Sequence, residues 1–257
     1  MSIAVAIIAR DEARHIGAAL ASVAALADEL LVLLDDRTAD DTAAIAIAAG
    51  ATVAVEPWRG FAAQRNRALD LCRSEWVLFL DADERVSPEL AAEILAMVGP
   101  GGQSSPAVAG YWLPRHNQFF GRVVRGGGWY PDHQLRLLRR AQARYDTDMH
   151  VHEYAQLAGE AAFLHGHLLH INIERADEFW RKQTSYAIHE AQSLYRAGRR
   201  ARWRNFVGAP ARELVRRYLR LGGWRDGWLG LALCGSLAYF ELVKFAHLRG
   251  LQRILRG

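Results

Sequence analysis

The sequence predicts an α/β fold in which a mainly parallel sheet is flanked by helices. Over the first hundred residues, short apolar runs alternate with helical patterns, and acidic residues follow several of the apolar runs. Continuous apolar strands separated by helices are typical of parallel sheets that are buried on both faces. A chain of 257 residues is long enough for one domain with an appended tail.

Four strands and four helices are predicted in this first part of the chain. The predicted strands are residues 3–9, 30–34, 52–55 and 76–80. The predicted helices are residues 14–25, 40–50, 61–72 and 87–98. The last helix has the clearest start, because Ser87 can cap it and Pro88 suits its first turn.

The pattern changes after the Gly- and Pro-rich loop at residues 99–106. Two further strands are predicted at residues 110–114 and 134–138, around a Gly-rich turn. From Asp177 onward the pattern indicates helices. We therefore expect a first domain at residues 1–175 and a helical extension at residues 176–257.

The net charge of +4 is distributed unevenly. Residues 1–100 carry −8 and residues 175–257 carry +11, which indicates two surfaces with different partners. The two cysteines, Cys72 and Cys234, are far apart in the sequence and lack Cys-x-x-Cys spacing. This excludes a disulfide scaffold and a thiolate zinc site, and it suits a reducing cytoplasm.

Acidic residues follow three of the predicted strands. The three stretches are Arg10-Asp11-Glu12, Asp35-Asp36 and Asp81-Ala82-Asp83-Glu84. Ligands of open parallel sheets bind at the carboxyl ends of the strands, where these carboxylates would crowd together. A divalent ion held by Asp83, with help from Asp81 and two phosphate groups, would compensate the charge. For Asp11 or Asp40 alone, a helix cap is the better explanation.

These features, with several further motifs, resemble the family 2 glycosyltransferases. Within the family, the sequence is most similar to the bacterial lipopolysaccharide-core glucosyltransferases. The matching segments are residues 61–69, Asp81-Ala82-Asp83-Glu84-Arg85-Val86, residues 119–122, Gly127-Gly128-Trp129-Tyr130-Pro131-Asp132, Gln134-Leu135-Arg136-Leu137, Val151-His152-Glu153 and Leu168-Leu169-His170. They cover nearly the whole chain.

The resemblance implies a GT-A-type, Rossmann-like fold and a metal-dependent hexosyltransferase that uses Mg²⁺ or Mn²⁺. The expected reaction transfers a hexose from a UDP-sugar, with UDP-glucose as the first expectation, to a lipid-linked or lipopolysaccharide-core glycan. Direct displacement would invert the anomeric centre. Two alternatives stay open: the same chemistry on a protein or another polysaccharide, and a non-catalytic membrane-binding protein that kept the fold.

The resemblance also assigns roles to residues on the donor side. Asp35 would bond the nucleotide base, and Glu12 would lie beside the ribose or base. Arg65 would lie on the donor side, Asp81 near the ribose and metal, and Asp83 would be the principal metal ligand. In such enzymes a Gly occupies the turn position that Arg37 holds here. That departure lowers the expectation of base contacts from the turn backbone.

The second half of the chain supplies the remaining candidates. Asp132 is the candidate base that deprotonates the acceptor hydroxyl, and Arg136 is a cationic helper together with Arg65. His170 is a further candidate metal ligand beside Asp83. His165 and His167 would share a face if they lie in a strand. Hydrogen-bonded structural histidines are the alternative for this cluster.

The C-terminal part combines arginines with aromatic residues. An uncharged segment at residues 228–240 is shorter than the roughly 20 residues that a membrane span needs. We expect a helix that lies on an anionic membrane surface, at the inner face of the cytoplasmic membrane. The alternative is a helix packed on the core with a solvated basic face. The sequence contains no recognised RNA or DNA module, so nucleic acid is not an expected partner.

Two other enzyme classes fit poorly. Haloacid-dehalogenase-type phosphatases place Asp-x-Asp after the first strand and continue with Gly-Thr, whereas Glu84-Arg85 follow Asp83 here. Nicotinamide dehydrogenases carry Gly-x-Gly-x-x-Gly after the first strand, which this sequence lacks.

Overall fold

The computed structural model describes residues 1–147 and 155–254, which form two compact units. Unit 1 contains residues 1–115 and 132–170, and unit 2 contains residues 116–131 and the chain from residue 171 onward. The functional division that we expect at residue 175 stays a prediction. The motif Val151-His152-Glu153 and the neighbouring His150 lie outside the described residues.

Parallel pairing organises the first half of the central sheet, as predicted. The strands are β1 (Ile3–Ala9), β2 (Glu29–Asp35), β3 (Thr52–Glu56), β4 (Trp76–Phe79), β5 (Glu84–Val86), β6 (Val108–Phe119), β7 (Arg122–Val124), β8 (His133–Arg139), β9 (Ala143–Tyr145), β10 (Ala155–Leu157), β11 (Glu160–Phe163) and β12 (Leu168–Ile173). Strand β1 pairs parallel with β2 and β4, and β2 pairs parallel with β3. The carboxyl ends of these four strands therefore share one edge.

The second half of the sheet is largely antiparallel. The strand order is β3-β2-β1-β4-β8-β6-β12-β5, in which β8 runs antiparallel to both β4 and β6. The β6–β8 pair contains the two strands predicted around the Gly-rich turn, which confirms that prediction. Because β8 is antiparallel to β4, its first residues lie at the edge where β4 ends. Residues 132–136 are thereby brought close to the Asp81-Ala82-Asp83 turn.

Helices cover both faces of the parallel strands. The helices of unit 1 are α1 (Ile16–Val23), α2 (Thr42–Ala48), α3 (Phe61–Leu71) and α4 (Pro88–Val98). Alternate residues of β1 enter different clusters: Ile3 and Ile7 pack with α1 and α4, whereas Ala4 packs with α3. Each buried isoleucine contributes about 1.5–3 kcal/mol through burial of its side chain. The Ser87 hydroxyl accepts from the Leu90 N–H at 3.2 Å, which confirms the predicted cap.

Unit 2 is mostly helical. Its helices are α5 (Ala176–Arg196), α6 (Asn205–Leu214) and α7 (Gly227–Ile254), with a π-helical turn at Val215–Arg220 and a 3-10 turn at Gly223–Asp226. Phe179, Leu233 and Phe240 form an apolar cluster between α5 and α7. Lys244 is nearly buried in α7, where its ammonium group donates to Glu190 at 3.1 Å and to Glu241.

Helix α7 is longer than the uncharged segment from which it was predicted. The apolar region Gly223–Arg253 is long and apolar enough to cross a membrane, and a third of its most apolar window is buried inside the protein. A core helix of a soluble protein meets the same criterion.

Close backbone contacts hold the Gly-rich turn within unit 2. The Asp226 carboxylate accepts from the N–H groups of Arg125 and Gly126, both at 2.8 Å. A Cβ atom on Gly126 would lie 2.0 Å from the Gly222 carbonyl oxygen. Arg217 donates to the Gly127 carbonyl at 2.7 Å. Residue 126 must therefore be glycine for this contact to form.

Two glycines of α7 provide a matched test of unit 2. A Cβ atom on Gly230 would lie 1.9 Å from the Gly223 carbonyl oxygen, whereas one on Gly235 meets no described atom within 4 Å. Alanine is favoured over glycine by about 1 kcal/mol within a helix. We expect Gly235→Ala to stabilise the fold slightly and Gly230→Ala to destabilise it, as measured by chemical denaturation. Equal effects of the two substitutions would contradict the Gly230–Gly223 contact.

Candidate active site

A cleft of about 320 Å³ lies at the carboxyl ends of β1 and β2 in unit 1. It is lined by Ile8, Ala9, Arg10, Glu12, Asp35, Arg37, Trp58 and Phe61. The structure thus brings Glu12 and Asp35 to one cleft. The Trp58 and Phe61 rings meet edge to face with their centroids 4.7 Å apart. An aromatic wall beside a few polar groups suits a flat, polar ligand such as a nucleobase.

Asp35 is paired with Arg37, the residue that departs from the family pattern. The Arg37 Nε donates to one Asp35 oxygen at 2.9 Å, and Nη2 donates to the other at 2.6 Å. The Arg37 backbone N–H adds a third bond at 3.0 Å. The side-chain bonds from Arg37 hold the pKa of Asp35 well below its usual range. The cleft therefore presents an ion pair where the family pattern suggests a lone carboxylate.

Glu12 experiences the accumulated negative charge at this edge of the sheet. Its pKa is raised from 4.5 to about 7, first by burial and then by the charges of Asp83, Asp40 and Asp81. Carboxylates from two separate loops thus influence one side chain. Asp40 also accepts from the N–H groups of Ala13 at 2.9 Å and Thr42 at 3.0 Å. The predicted cap at Asp40 is one residue off, because Asp41 is the N-cap of α2 and makes no side-chain cap bond.

The Asp81-Ala82-Asp83 turn is fixed by the arginine that follows it. Arg85 donates to the carbonyls of Ala82 and Glu84, both at 2.7 Å, and to the His15 carbonyl at 3.0 Å. The Asp83 carboxylate lies 3.2 Å from Nε2 of His170, which is opposite Glu84 in the β5–β12 pair. The structure therefore brings together Asp83 and His170, two of the three predicted metal ligands, from positions 87 residues apart.

Asp81 faces cations. Arg136, on β8, donates to both oxygens of Asp81, one of them at 3.2 Å. Burial acts to raise the pKa of Asp81, but the charge and hydrogen bonds of Arg136 outweigh it, and the pKa falls below its usual value. Arg65 adds a smaller effect in the same direction. Its guanidinium lies 5.3 Å from the Tyr145 ring centroid. Both predicted cationic helpers are therefore on the Asp81 side of the site.

A carboxylate to which the sequence motif assigns no role organises these groups. Glu84 is fully buried. One of its oxygens accepts from Arg136 at 3.2 Å and from Arg115 at 3.0 Å, and the other accepts from the Asp81 N–H at 3.0 Å. Its position after Asp83 in the motif was the only signal, and the sequence does not indicate that Arg115 is its partner.

Asp132, the predicted base, continues the same network. Arg115 donates to one of its oxygens at 2.8 Å. Gln134 donates to the other at 2.7 Å. Ion pairs thus link five side chains in series: Asp81, Arg136, Glu84, Arg115 and Asp132. Bidentate and charge-assisted bonds fix orientation as well as charge. The predicted donor-side carboxylate and the predicted base are therefore joined by one series of ion pairs with the buried Glu84 at its centre.

The described residues contain no preassembled group of three or more His, Cys, Asp or Glu side chains that could hold a metal ion. Asp83 and His170 are close enough to share an ion, but further ligands would have to come from a substrate. Burial is the first cause of the raised pKa of Glu12, and the charges of Asp83, Asp40 and Asp81 add to it; a cation would offset that part. The residues therefore fit a metal that binds together with a phosphate-containing ligand.

His165 and His167 do not lie in a strand, so the condition under which they would share a face is not met. Both lie in the connection between β11, which ends at Phe163, and β12, which begins at Leu168. The backbone N–H groups of His165 and Gly166 donate to Glu93 at distances of 2.7–3.0 Å. These bonds hold the connection against α4 and prevent it from extending the sheet.

The match to known sequences agrees with this geometry. The sequence model described as Glycosyl transferase family 2 matches residues 4–154, more than half of the chain. The chain belongs to glycosyltransferase family 2. Family membership confirms the resemblance drawn from the motifs, and the sheet topology confirms the α/β fold of GT-A type.

Relatives of this family 2 glycosyltransferase extend the match. A Rhizobium meliloti protein named lipopolysaccharide core biosynthesis glycosyltransferase LpsC is 31% identical over 245 residues, which are 91% of this chain and 87% of that protein. An uncharacterized glycosyltransferase of Rickettsia felis is 46% identical over 88 residues, 34% of this chain and 31% of that protein.

Among solved structures, Staphylococcus aureus TarS, residues 1–349 in complex with UDP, is 15% identical and has a TM-score of 0.49. The similarity covers 100% of this chain and 91% of that one. The fold assignment rests on the strand order of this chain and does not depend on that likeness.

Removing the Glu84 charge should destabilise the enzyme. Glu84→Gln leaves the buried Arg136 and the half-buried Arg115 with one carboxylate fewer, and breaking a buried ion pair costs about 3–5 kcal/mol. We expect a loss of that size in the free energy of unfolding, measured in urea. Glu75→Gln is the matched control, because the Glu75–Arg139 pair is partly exposed and 3.6 Å long. Its loss should be under about 1 kcal/mol. Equal losses in both variants would contradict the role of Glu84.

The raised pKa of Glu12 predicts a pH dependence of stability. The folded chain binds this proton more tightly than the unfolded chain, so stability should fall as pH rises from about 4.5 to about 7. The fall is at most about 3 kcal/mol and is reduced by solvent screening. Glu12→Gln should be more stable than the wild type at pH 8 but not at pH 4.5. Exposed Glu160 offers the control substitution, Glu160→Gln. An identical pH profile for wild type and Glu12→Gln would disprove the shift.

Proposed function

We propose that the chain is an inverting, metal-dependent hexosyltransferase that uses a UDP-sugar, with UDP-glucose as the first candidate. The proposed acceptor is a lipid-linked or lipopolysaccharide-core glycan. The observation that carries this proposal is the series of ion pairs from Asp81 to Asp132, which joins a donor-side carboxylate to an acceptor-side one. The name of the Rhizobium meliloti relative supports the acceptor class.

The nucleotide is proposed to bind in the cleft at the ends of β1 and β2. Trp58 would contact the base, and the Asp35–Arg37 pair would offer it hydrogen-bonding groups. Glu12 would lie beside the ribose or base. Arg65 and Arg136 would face the diphosphate, since both act on the Asp81 side of the site.

Asp83 is proposed as the principal ligand of Mg²⁺ or Mn²⁺, with Asp81 and His170 as further candidates. When bound, such an ion stabilises negative charge on a departing diphosphate. Asp81 is already engaged by Arg136, so its share in holding the ion would require that this pair adjusts.

Asp132 is proposed to accept the proton of the attacking acceptor hydroxyl. The new bond joins the acceptor oxygen to the anomeric carbon, while the bond from that carbon to the diphosphate breaks. Attack from the opposite face inverts the centre, so an α-linked donor gives a β-linked product. The pair with Arg115 and the bond from Gln134 hold the Asp132 carboxylate in a fixed position. Arg136 and Arg65 stabilise the leaving diphosphate.

The enzyme is proposed to work as a peripheral protein on the cytoplasmic face of the membrane, through residues 176–257. Trp228, Leu231 and Tyr239 are exposed on α7 and recur at helical spacing. An exposed apolar stripe flanked by a basic region is typical of helices that lie in the membrane interface.

The donor can be identified by thermal-shift measurements. The full chain is heated with UDP-glucose, UDP-galactose, UDP-GlcNAc and GDP-mannose, each with and without Mn²⁺. We expect the largest rise in melting temperature with UDP-glucose and Mn²⁺. Failure of every nucleotide sugar to stabilise the protein would contradict the proposed function.

Replacing the proposed base should separate chemistry from binding. Asp132→Asn keeps the shape but cannot accept the proton, and general-base catalysis contributes about 10²–10⁴-fold to rates. We expect transfer to fall by that factor, with little change in UDP affinity. Asp70→Asn is the control, because Asp70 is exposed and pairs with Arg144. Undiminished turnover by Asp132→Asn would refute the assignment.

A further inference from the structure

A cavity of about 420 Å³ in unit 2 is surrounded by positive charge. It lies where α5 gives way to α6. Its lining residues are Gly198, Arg199, Arg200, Arg202, Arg204 and Asn205. All four arginines are exposed to solvent. The cavity is separate from the nucleotide cleft, which is lined by residues of unit 1, and the proposed reaction does not use it.

The backbone of this arginine loop, residues 198–205, is fixed at several points. Gly198 has φ +70, and the Arg199 N–H donates to the Leu194 carbonyl at 2.9 Å, which ends α5. Gln252 of α7 donates to the Arg199 carbonyl at 3.0 Å and accepts from the Ala201 N–H at 3.3 Å. The loop is therefore a built structure whose long side chains extend outward.

The arginines of the loop lack acidic partners among residues 1–147 and 155–254. Other arginines of unit 2 have them: Arg175 and Arg181 pair with Asp177, for example. Four positive charges around one cavity repel each other unless an anion is present. Guanidinium groups match phosphate oxygens in charge and geometry, so phosphate is the fitting anion.

Apolar side chains next to the arginine loop favour a lipid as the source of the phosphate. Trp203, within the loop, is 81% exposed, and Val207, four residues later, is 68% exposed. A tryptophan beside cationic side chains is typical of the headgroup level of a membrane. Val207 cannot stack on a base, so its exposure suits acyl chains better than nucleic acid.

We propose that the arginine loop binds the phosphate groups of anionic lipids and thereby anchors the enzyme to the membrane. This inference rests on the proposed peripheral location and names the residues that produce it. The apolar face of α7 contacts lipid whatever the charge of the headgroup, whereas the arginine loop forms ion pairs with negatively charged headgroups.

Vesicle sedimentation tests the site. The full chain is mixed with vesicles of phosphatidylcholine, alone or with a quarter of phosphatidylglycerol. Each arginine near an anionic surface contributes about fivefold to partitioning, so Arg200→Gln/Arg202→Gln should lose about 25-fold on the anionic vesicles. Arg175→Gln/Arg181→Gln removes the same charge from the same unit, but these arginines are paired with Asp177. It should lose less than about threefold.

Equal losses in the two double variants would overturn the proposal, because they would indicate diffuse attraction rather than a site. The proposal is also overturned if the loop variant loses calorimetric binding of inorganic phosphate, or of a labelled RNA, while vesicle binding is unchanged. Circular dichroism checks folding. If the double variant does not fold, Arg200→Gln alone should show about a fivefold loss.

A UDP titration of the wild-type chain keeps the two proposals distinguishable. A chain that binds anionic vesicles through the loop but does not bind UDP would support the lipid site and contradict only the proposed function.

Discussion

The site depends on the buried carboxylate of Glu84 and the two arginines that share it. Glu84 has no exposure to solvent, and its charge is balanced by Arg136 and Arg115. A buried charge of this kind is costly unless every partner is in place. The partners come from β8 and β6, so the network forms only when the antiparallel half of the sheet has assembled on β4. Folding and site geometry are therefore coupled through one residue.

Each arginine of this pair also holds a carboxylate that faces the site. Arg136 binds Asp81 and Arg115 binds Asp132, and the central Glu84 keeps both guanidinium groups in position. Charges held by fixed partners need little rearrangement during a reaction, which is how preorganised sites lower barriers. In the proposed mechanism, the same framework would serve the donor and acceptor sides. The negative charges lie at the ends of the strands, and the arginines form ion pairs with them.

The parallel half of the fold could be predicted because local pattern dictates it: continuous apolar runs, a Ser-Pro helix start and acidic strand ends. Short strands such as β5 and β10 could not be predicted, because a segment of three residues shows no periodicity in the sequence. Pairing with distant strands stabilises such segments. Glu12, Asp35 and Asp83 could be placed at one edge by topology. The Glu84–Arg115 pair could not be predicted, because its two residues are 31 positions apart and no sequence motif links them. The sequence shows that Arg37 departs from the family pattern, but only the structure shows that Arg37 bonds to Asp35.

In the proposed mechanism, the strand-end carboxylates hold a cation against a diphosphate. A calorimetric titration of UDP into the full chain, with Mn²⁺ and then with a chelator, tests this most directly when it is repeated on Asp83→Asn. Binding that requires Mn²⁺ and largely disappears in Asp83→Asn is the predicted result. UDP affinity that is indifferent both to the metal and to the substitution would contradict the account.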